Sequence, residues 1–194
     1  MYNNADDPAN KRKDTRRGHI IAHANGRPIR VRPITRADAL LLVDLYDHLS
    51  PESRQRRFFK LPPQLPRDII LSEAQRLADI DPRTQVALLA TIEEDGREHA
   101  IAVARLVCST VDPRQAEVAL IVRDDYQKQG LATRLCQLLS RLARARGISV
   151  LHADTLAENE AIFRLLHRLG VTFNVRVQQG EVRLEILLTP AAWT

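Results

Sequence analysis

The sequence predicts an α+β fold built around a single mixed β-sheet, and two observations support this prediction. The apolar residues follow a helical period over roughly residues 36–78, a strand-like period over 85–122, and then both periods in alternation. Two turn signals, Asp95-Gly96 and Gln179-Gly180, each separate two strand-like runs as a hairpin turn does. The predicted order of elements is β-α-α-α-β-β-β-α-β-α-β-β, with no internal repeat.

The first part of the chain supplies one strand and three helices. The stretch "PIRVRPIT" at 28–35 alternates between apolar and polar residues and predicts a strand. Thr35 and Asp38 have the spacing of a capping box, and Ser50-Pro51 is a favourable helix start, so two helices are expected to begin near these positions. A proline-rich connection, "LPPQLPRD", precedes a third predicted helix at about 68–78.

The second part begins with three consecutive antiparallel strands, of which the first two flank Asp95-Gly96 and the third is "QAEVALIVR". Leucines at helical spacing then predict a helix from Leu131 to the stop signal Gly147, and the strand "ISVLHADT" follows it. A final helix is expected over 158–169, and a hairpin closes the chain.

Length and composition indicate one domain. The 194 residues suffice for a substantial core, and 44% hydrophobic with 27% charged residues is typical of a globular protein. Residues 1–27 contain a basic cluster and no apolar periodicity, so we expect a mobile basic tail there and a folded domain over 28–190.

Several function classes conflict with this composition. No apolar run reaches the roughly 18 residues that a membrane span needs, and the charged N-terminal region lacks the apolar centre of a signal peptide, so we expect a cytoplasmic protein. Cys108 and Cys136 have no metal-ligand spacing, so no metal site is predicted. The net charge of +5 favours anionic partners, but the basic clusters lack the interleaved aromatic residues of a nucleic-acid surface. An oligomer is compatible with all of these observations.

The stretch "VRDDYQKQGLATRLCQLL" joins the third of the antiparallel strands to the leucine-rich helix. The unpaired N–H groups at a helix N-terminus can bind a phosphate, and Gly130 would allow the anion to approach closely. The loop lacks the motifs of a P-loop and of a dinucleotide-binding fold. From its residues alone, it is either an anion-binding loop or only the connection between a strand and a helix.

Two patterns resemble the GCN5-related N-acetyltransferase (GNAT) superfamily. Gln127, Gly130 and Ala132 match its acyl-CoA loop, Q/R-x-x-G-x-G/A, and Asn159 precedes Gly170 at the spacing of the family's later helix. Phrases such as "VRPITRADA", "LSPESRQRRFF" and "LAENEAIFRLLHRLG" resemble most closely the acetyltransferase domain of bacterial Pat-type protein lysine acetyltransferases.

This resemblance extends over about residues 30–188 and implies a GNAT acyl-CoA N-acyltransferase fold with acetyl-CoA as co-substrate. It also implies that the strand before the loop splays, leaving main-chain groups to bind the thioester and pantetheine. The residues expected to bind acetyl-CoA are Leu120, Ile121, Val122, Gln127, Lys128, Gln129, Gly130, Leu131, Ala132, Thr133 and Asn159.

Glu117 is the candidate general base. It lies in the apolar strand "AEVALIV", whose surroundings would tune a carboxylate for proton transfer near neutral pH, and a Pat-type domain is expected to carry its base at this position. The alternative is that Glu117 lies at an exposed strand start or pairs with an arginine such as Arg105. Many GNAT members have a tyrosine acid where this chain has Leu166, so the thiolate is expected to leave unassisted or to be protonated by water. His152 is interpreted as an ordinary strand residue.

The function that the resemblance implies is acetylation of a lysine side chain in a protein, such as an AMP-forming acyl-CoA synthetase, by direct transfer. Two alternatives keep the fold and change the function. One is acetylation of a small amine, and the other is a non-catalytic module that senses acyl-CoA or binds a partner.

Overall fold

The computed structural model describes residues 18–24, 26–62, 64–178 and 180–189. The strands are β1 (His19–Ala24), β2 (Arg27–Pro33), β3 (Gln85–Glu94), β4 (Arg97–Cys108), β5 (Gln115–Val122), β6 (Val150–Leu156), β7 (Phe173–Gln178) and β8 (Glu181–Leu187). The helices are α1 (Ala39–Asp47), α2 (Pro51–Phe58), α3 (Arg67–Ala78), α4 (Leu131–Arg144) and α5 (Glu160–Arg168). In the described segments no helix is long and apolar enough to cross a bilayer.

The described strands form one mixed sheet in the order β1-β2-β3-β4-β5-β6-β8-β7. The predicted α+β class and the predicted succession of elements are confirmed, and β1 is added at the start. The expectation of a mobile tail was wrong for this strand, because β1 pairs antiparallel with β2. A bulge between Ile20 and Ala22 interrupts the alternation of "HIIAHA", which hides the strand pattern. Residues 1–17 of the predicted tail lie outside the described residues.

Helices cover both faces of the sheet. α4 and α5 pack on one face around the larger apolar core, which includes Leu135 and Leu166. α1 packs on the other face around a smaller core that includes Leu45 and Leu89, and α3 packs on α1. Because β3 and β4 are covered on both faces, their sequences are nearly continuous apolar runs.

The starts of α1 and α2 confirm the predicted capping signals. The carboxylate of Asp38 accepts a hydrogen bond from the N–H of Thr35 at 2.7 Å, just before α1. The Oγ of Ser50 accepts one from the N–H of Ser53 at 3.1 Å, and Pro51 is the first residue of α2. These caps fix where the first two helices begin on the face of the sheet that carries the site.

Candidate active site

The site lies where β5 and β6, the parallel pair among the described strands, separate from each other. Their pairing covers only residues 115–117 of β5, opposite 150–152 of β6. Beyond this point β6 continues beside β8, and β5 continues beside β4 alone. Residues 118–122 therefore have no strand partner on one side, and a gap opens between the two strands.

The backbone hydrogen bonds between β4 and β5 determine which backbone groups of β5 face this gap. The N–H of Arg123 donates to the C=O of Ile101 on β4 at 2.8 Å, and the β4–β5 register is continuous from there. Antiparallel bonds involve every second residue, so Ile121 directs its backbone groups toward β4. Leu120 and Val122 direct theirs into the gap. The prediction of a main-chain role in the gap is thus corrected for Ile121.

The loop before α4 presents a row of backbone donors. Within the described residues, the N–H groups of residues 128–133 have no hydrogen-bond acceptor. Gly130 is the N-cap of α4 and has a φ of +80°, a conformation that other residues adopt only under strain. A Cβ at Gly130 would meet no atom within 4 Å, so the space beside this backbone is open. The arrangement suits an anion at the helix N-terminus.

The two glutamine side chains of this loop donate hydrogen bonds to backbone carbonyls close to them in the chain. Nε2 of Gln127 donates to the C=O of Val122 at 3.0 Å, and the backbone N–H of Gln127 donates to the C=O of Asp124 at 3.2 Å. Nε2 of Gln129 donates to the C=O of Asp125 at 2.8 Å. Both side chains therefore hold the loop in shape, and binding of acetyl-CoA by Gln127 and Gln129 stays a prediction.

Asp124 connects the loop to the start of α2. Its carboxylate accepts hydrogen bonds from the N–H of Ser50 at 2.9 Å, from Ser50 Oγ at 2.9 Å and from Ser53 Oγ at 2.7 Å. Burial by itself would raise the pKa of Asp124, but these hydrogen bonds outweigh it and lower the pKa below its ordinary value. The loop and α2 are thus held together by one ionised side chain.

Three cationic side chains lie in or next to the loop, and they differ in whether they are already bonded. Arg123 pairs with Asp125 at 2.7 Å, and Arg134 donates to the C=O of Ile21 at 2.7 Å. Lys128 is exposed and has no ion-pair partner in the part of the chain that is described. Lys128 is therefore the side chain of the three that is free to attract a phosphate.

Asn159 and Leu166 lie on the other side of the gap. Nδ2 of Asn159 donates to Oγ1 of Thr155 on the adjacent strand β6 at 2.8 Å, and its side chain makes no capping hydrogen bond to α5. Its contact with the cofactor stays a prediction. Leu166 of α5 is 3% exposed and belongs to the larger apolar core, so its position offers no hydroxyl.

Glu117 is the last residue of β5 that pairs with β6. Its side chain is 71% exposed, and its Oε1 lies 3.6 Å from Nη2 of Arg183 on β8. The predicted apolar surroundings of Glu117 were therefore wrong, because the register places a charged residue of β8 beside it. The alternative, an exposed Glu117 beside an arginine, is correct, but the arginine is Arg183 and not Arg105.

A cleft of about 380 Å³ opens beside Glu117. It is lined by Arg57, Lys60, Arg76, Leu77, Gln85, Arg105, Val107, Glu117, Val118, Ala119, His152 and Asp154. Lys60 pairs with Asp154 at 2.8 Å across the rim. In the described part of the chain, no group of three or more His, Cys, Asp or Glu side chains could hold a metal ion.

His152 lies opposite Glu117 in the β5–β6 register and lines the same cleft. Nε2 of His152 lies 2.8 Å from Oε1 of Gln115, whose own amide group donates to Asp112 at 3.1 Å. This bond makes Oε1 an acceptor, so His152 is the donor through Nε2 and carries a lone pair on Nδ1. Nδ1 is buried without a hydrogen-bond partner among the described residues.

The sequence reasoning did not assign Arg57 and Arg105 to the site. Arg105 interrupts the apolar strand "AIAVARLVCS", and a charge within a strand covered on both faces is the signal that could have identified it. Arg57 lies in a helix with several arginines and has no comparable signal. Only the packing of α2 against the sheet brings the two residues into one cleft.

Comparison with known proteins identifies similar chains. A model of the acetyltransferase (GNAT) domain family matches residues 29–172. An acetyltransferase of Pseudomonas aeruginosa is 28% identical over 146 residues, which are 75% of this chain and 76% of that protein. The acetyltransferase Pat of Mycolicibacterium smegmatis is 36% identical over 90 residues, which are 46% of this chain and 27% of that protein.

Solved structures agree with these sequence matches. The GNAT domain of S. lividans PAT has a TM-score of 0.73 and 32% identity, with coverage of 87% of this chain and 96% of that domain. The protein yncA of Salmonella typhimurium, solved with its cofactor acetyl-CoA, has a TM-score of 0.58 and 21% identity, with coverage of 84% of this chain and 95% of that chain. The latter likeness concerns the fold alone.

Proposed function

Because the chain belongs to the acetyltransferase (GNAT) family and is an N-acetyltransferase, we propose that it moves an acetyl group from acetyl-CoA to the side-chain amine of a protein lysine. The observation that carries the proposal is the position of Glu117. This carboxylate stands at the last paired residue of β5, where the gap and the cleft meet. A base at that point can serve an amine that enters from the cleft and attacks a thioester held in the gap.

Acetyl-CoA would be held through backbone groups. The free N–H groups of residues 128–133 at the start of α4 suit its pyrophosphate, with Lys128 adding positive charge. The gap-facing groups of Leu120 and Val122 suit the pantetheine arm and the thioester. The C=O of Val122 already accepts from Gln127, which leaves its N–H as the donor toward the gap.

The transfer would proceed in one displacement. Glu117 removes a proton from the lysine ammonium, and the resulting amine attacks the thioester carbon. A backbone N–H of the gap stabilises the oxyanion until the C–S bond breaks. The attacking nitrogen gives up its second proton to water, and the CoA thiolate takes a proton from water, because Leu166 offers no hydroxyl. Glu117 releases its proton to solvent, to which its side chain is open.

Similarity to Pat and to the GNAT domain of PAT supports a protein acceptor. Within that class, an AMP-forming acyl-CoA synthetase is the acceptor that we propose to test first. The cleft is open at its rim, where Glu117 and Lys60 are exposed, so a lysine on a protein surface can approach it.

A small amine is the second candidate acceptor, and the charge of the cleft limits which small amines could bind. Four cationic side chains and two carboxylates line the cleft, so a polyamine would be repelled. A small amine that carries a carboxylate would suit these charges better.

The two candidates differ in their response to a panel of acceptors. Purified protein with labelled acetyl-CoA should label a folded acyl-CoA synthetase on lysine and should turn over free amines more slowly. Labelling lost after the acceptor lysine is replaced by arginine would support the proposal. Turnover of free amines together with unlabelled folded proteins would contradict it and favour the small-amine function.

A further inference from the structure

Two arginines of the cleft, Arg57 and Arg105, lack a carboxylate partner among the residues that the structure describes. Arg105 is 9% exposed and donates hydrogen bonds to the C=O of Leu77 and to Oε1 of Gln85, both of which are neutral. Arg57 has no hydrogen-bond acceptor or ion-pair partner in the described segments, and its guanidinium lies 5.2 Å from the ring centre of Phe58. Neither positive charge is balanced by a carboxylate within salt-bridge distance.

Arg105 is buried and Arg57 is half-buried, and the buried arginines elsewhere in the described chain have the carboxylate partner that these two lack. Arg32 has a side chain that is 8% exposed and pairs with Asp38 at 2.7 Å, and Arg123, which is 7% exposed, pairs with Asp125 at 2.7 Å. Buried charges in proteins are normally paired in this way, because an unpaired charge loses its hydration without compensation. The cleft arginines depart from a rule that the same protein follows elsewhere.

The electrostatics of the cleft point in the same direction. Burial, followed by repulsion from Arg57 and Arg76, lowers the pKa of Arg105 to about 10. Arg105 is still protonated at neutral pH, so the cleft retains its positive charge. Burial also lowers the pKa of Arg57. An anion between these groups would relieve the repulsion and satisfy guanidinium donors that have no acceptor.

The anion would lie close to the reacting amine. Arg105 is the cross-strand partner of Ala119, two residues beyond Glu117 on β5. Two residues of an extended strand span about 7 Å. A carboxylate bound at Arg105 would thus lie within about two residues of the target lysine along an extended peptide. The free N–H groups that suit the CoA phosphates belong to the loop before α4, which does not line the cleft.

We propose that Arg57 and Arg105 form a subsite for a carboxylate that the acceptor carries next to its reacting amine. The proposal rests on the proposed acetyl transfer and narrows its substrate class. The carboxylate can come from an acidic residue beside the target lysine or from a small amino acid. Both sources share the same chemistry, and the experiment distinguishes them.

The test compares matched acceptors. Two end-blocked peptides carry one lysine and differ only in an Asp or an Asn beside it, and β-alanine is compared with its amide. The acidic member of at least one pair should have a kcat/KM about tenfold higher, the scale of one charge-assisted hydrogen bond. A preference within the peptides indicates an acidic residue as the source, and a preference confined to β-alanine indicates a small carboxylate.

The variants Arg57→Gln and Arg105→Gln should reduce this preference to less than twofold by raising the KM of the acidic acceptor. They should lower the kcat/KM of the acidic acceptor about fivefold more than that of the neutral acceptor and leave the KM of acetyl-CoA unchanged, whereas a folding defect would lower the kcat/KM of both acceptors by the same factor. Arg164→Gln, whose side chain is exposed on α5, is the control and should change neither the preference between acceptors nor the KM of acetyl-CoA.

Equal kcat/KM for both members of both pairs would overturn the subsite while the proposed transfer stands. A raised KM for acetyl-CoA in either cleft variant would also overturn it, because the anion would then be a CoA phosphate. If no acceptor is acetylated, the proposed transfer fails, and calorimetry with glutarate decides the subsite alone. Saturable binding of glutarate that is lost in both cleft variants supports the subsite, and absence of glutarate binding overturns the subsite.

Discussion

The loop before α4 and the cleft beside Glu117 lie at opposite ends of β5 and offer opposite kinds of chemistry. In the loop, the side chains of Gln127 and Gln129 are bonded to the protein, and the backbone N–H groups of residues 128–133 are free. In the cleft, the backbone of residues 115–117 is bonded to β6, and the side chains of Glu117, Arg57 and Arg105 are available. Substitutions should therefore matter through the side chain in the cleft and through the backbone conformation in the loop.

The largest effect is expected in the cleft, at Glu117. Glu117→Gln keeps the size of the side chain and removes the proton acceptor, so kcat should fall about 10²-fold or more, the scale of a lost general base. The Kd for acetyl-CoA should not change, because the loop is untouched. Steady-state kinetics and calorimetry measure the two quantities. Glu160→Gln, whose side chain is exposed on α5, is the control. An unchanged kcat for Glu117→Gln would remove Glu117 from the mechanism.

In the loop, the corresponding test changes the backbone at Gly130. Gly130 and Gly147 stand at opposite ends of α4 with φ of +80° and +77°, and a Cβ at either would meet no atom within 4 Å. Each change to alanine should lower the free energy of unfolding by about 1 kcal/mol through strain. Gly130→Ala alone should also raise the Kd for acetyl-CoA, by about tenfold, because it disturbs N–H groups that bind the pyrophosphate.

Denaturant unfolding and calorimetry on both alanine variants separate strain from binding. Equal stability loss with a changed Kd only for Gly130→Ala would support backbone recognition in the loop. The same Kd for both variants would show that the N-terminus of α4 does not hold the cofactor.

Asp124 joins the two regions, and its removal tests whether they depend on each other. Asp124→Asn removes an acceptor of the bonds from Ser50 and Ser53, so it should lower the free energy of unfolding by about 1 kcal/mol at pH 7. Because α2 carries Arg57 and the loop carries the cofactor donors, the KM of both substrates should rise about twofold to threefold. Asp125→Asn, which breaks a bond to Arg123 without touching α2, should affect stability but not the KM of the acceptor.

The stability difference caused by Asp124→Asn should depend on pH. The folded-state pKa of Asp124 lies below its ordinary value of 3.8, so the ionised carboxylate stabilises the protein fully above that value. The difference between the two proteins should persist down to about pH 4 and disappear as the pH falls through the lower folded-state pKa. A difference that stays constant down to acid unfolding would contradict the role of the charge.

The sequence predicted the helices and strands with a regular apolar pattern better than it predicted the direction in which individual side chains point. The strands and helices that repeat an apolar pattern were confirmed, and β1 was missed because its bulge breaks the alternation. The positions of Glu117 in a strand and of Gln127 in the following loop could be predicted from the apolar pattern and from the resemblance to the GNAT superfamily. The exposure of Glu117 depends on Arg183 of β8, and the direction of the Gln127 side chain depends on the carbonyl of Val122. Such contacts are set by register and packing, which the order of residues does not display.

The smallest effect is expected at Gln129, and it bears most directly on the contrast between the two regions. Its side chain lies in the middle of the loop, yet it is exposed and, among the described residues, bonds only to the C=O of Asp125, at 2.8 Å. Gln129→Ala keeps every backbone N–H of residues 128–133, so the Kd for acetyl-CoA should change less than twofold. A loop that recognises its ligand through the backbone tolerates this change and does not tolerate Gly130→Ala one residue away. Calorimetry that finds a tenfold loss for Gln129→Ala would mean that side chains bind the cofactor, and the distinction between the two ends of β5 would fail.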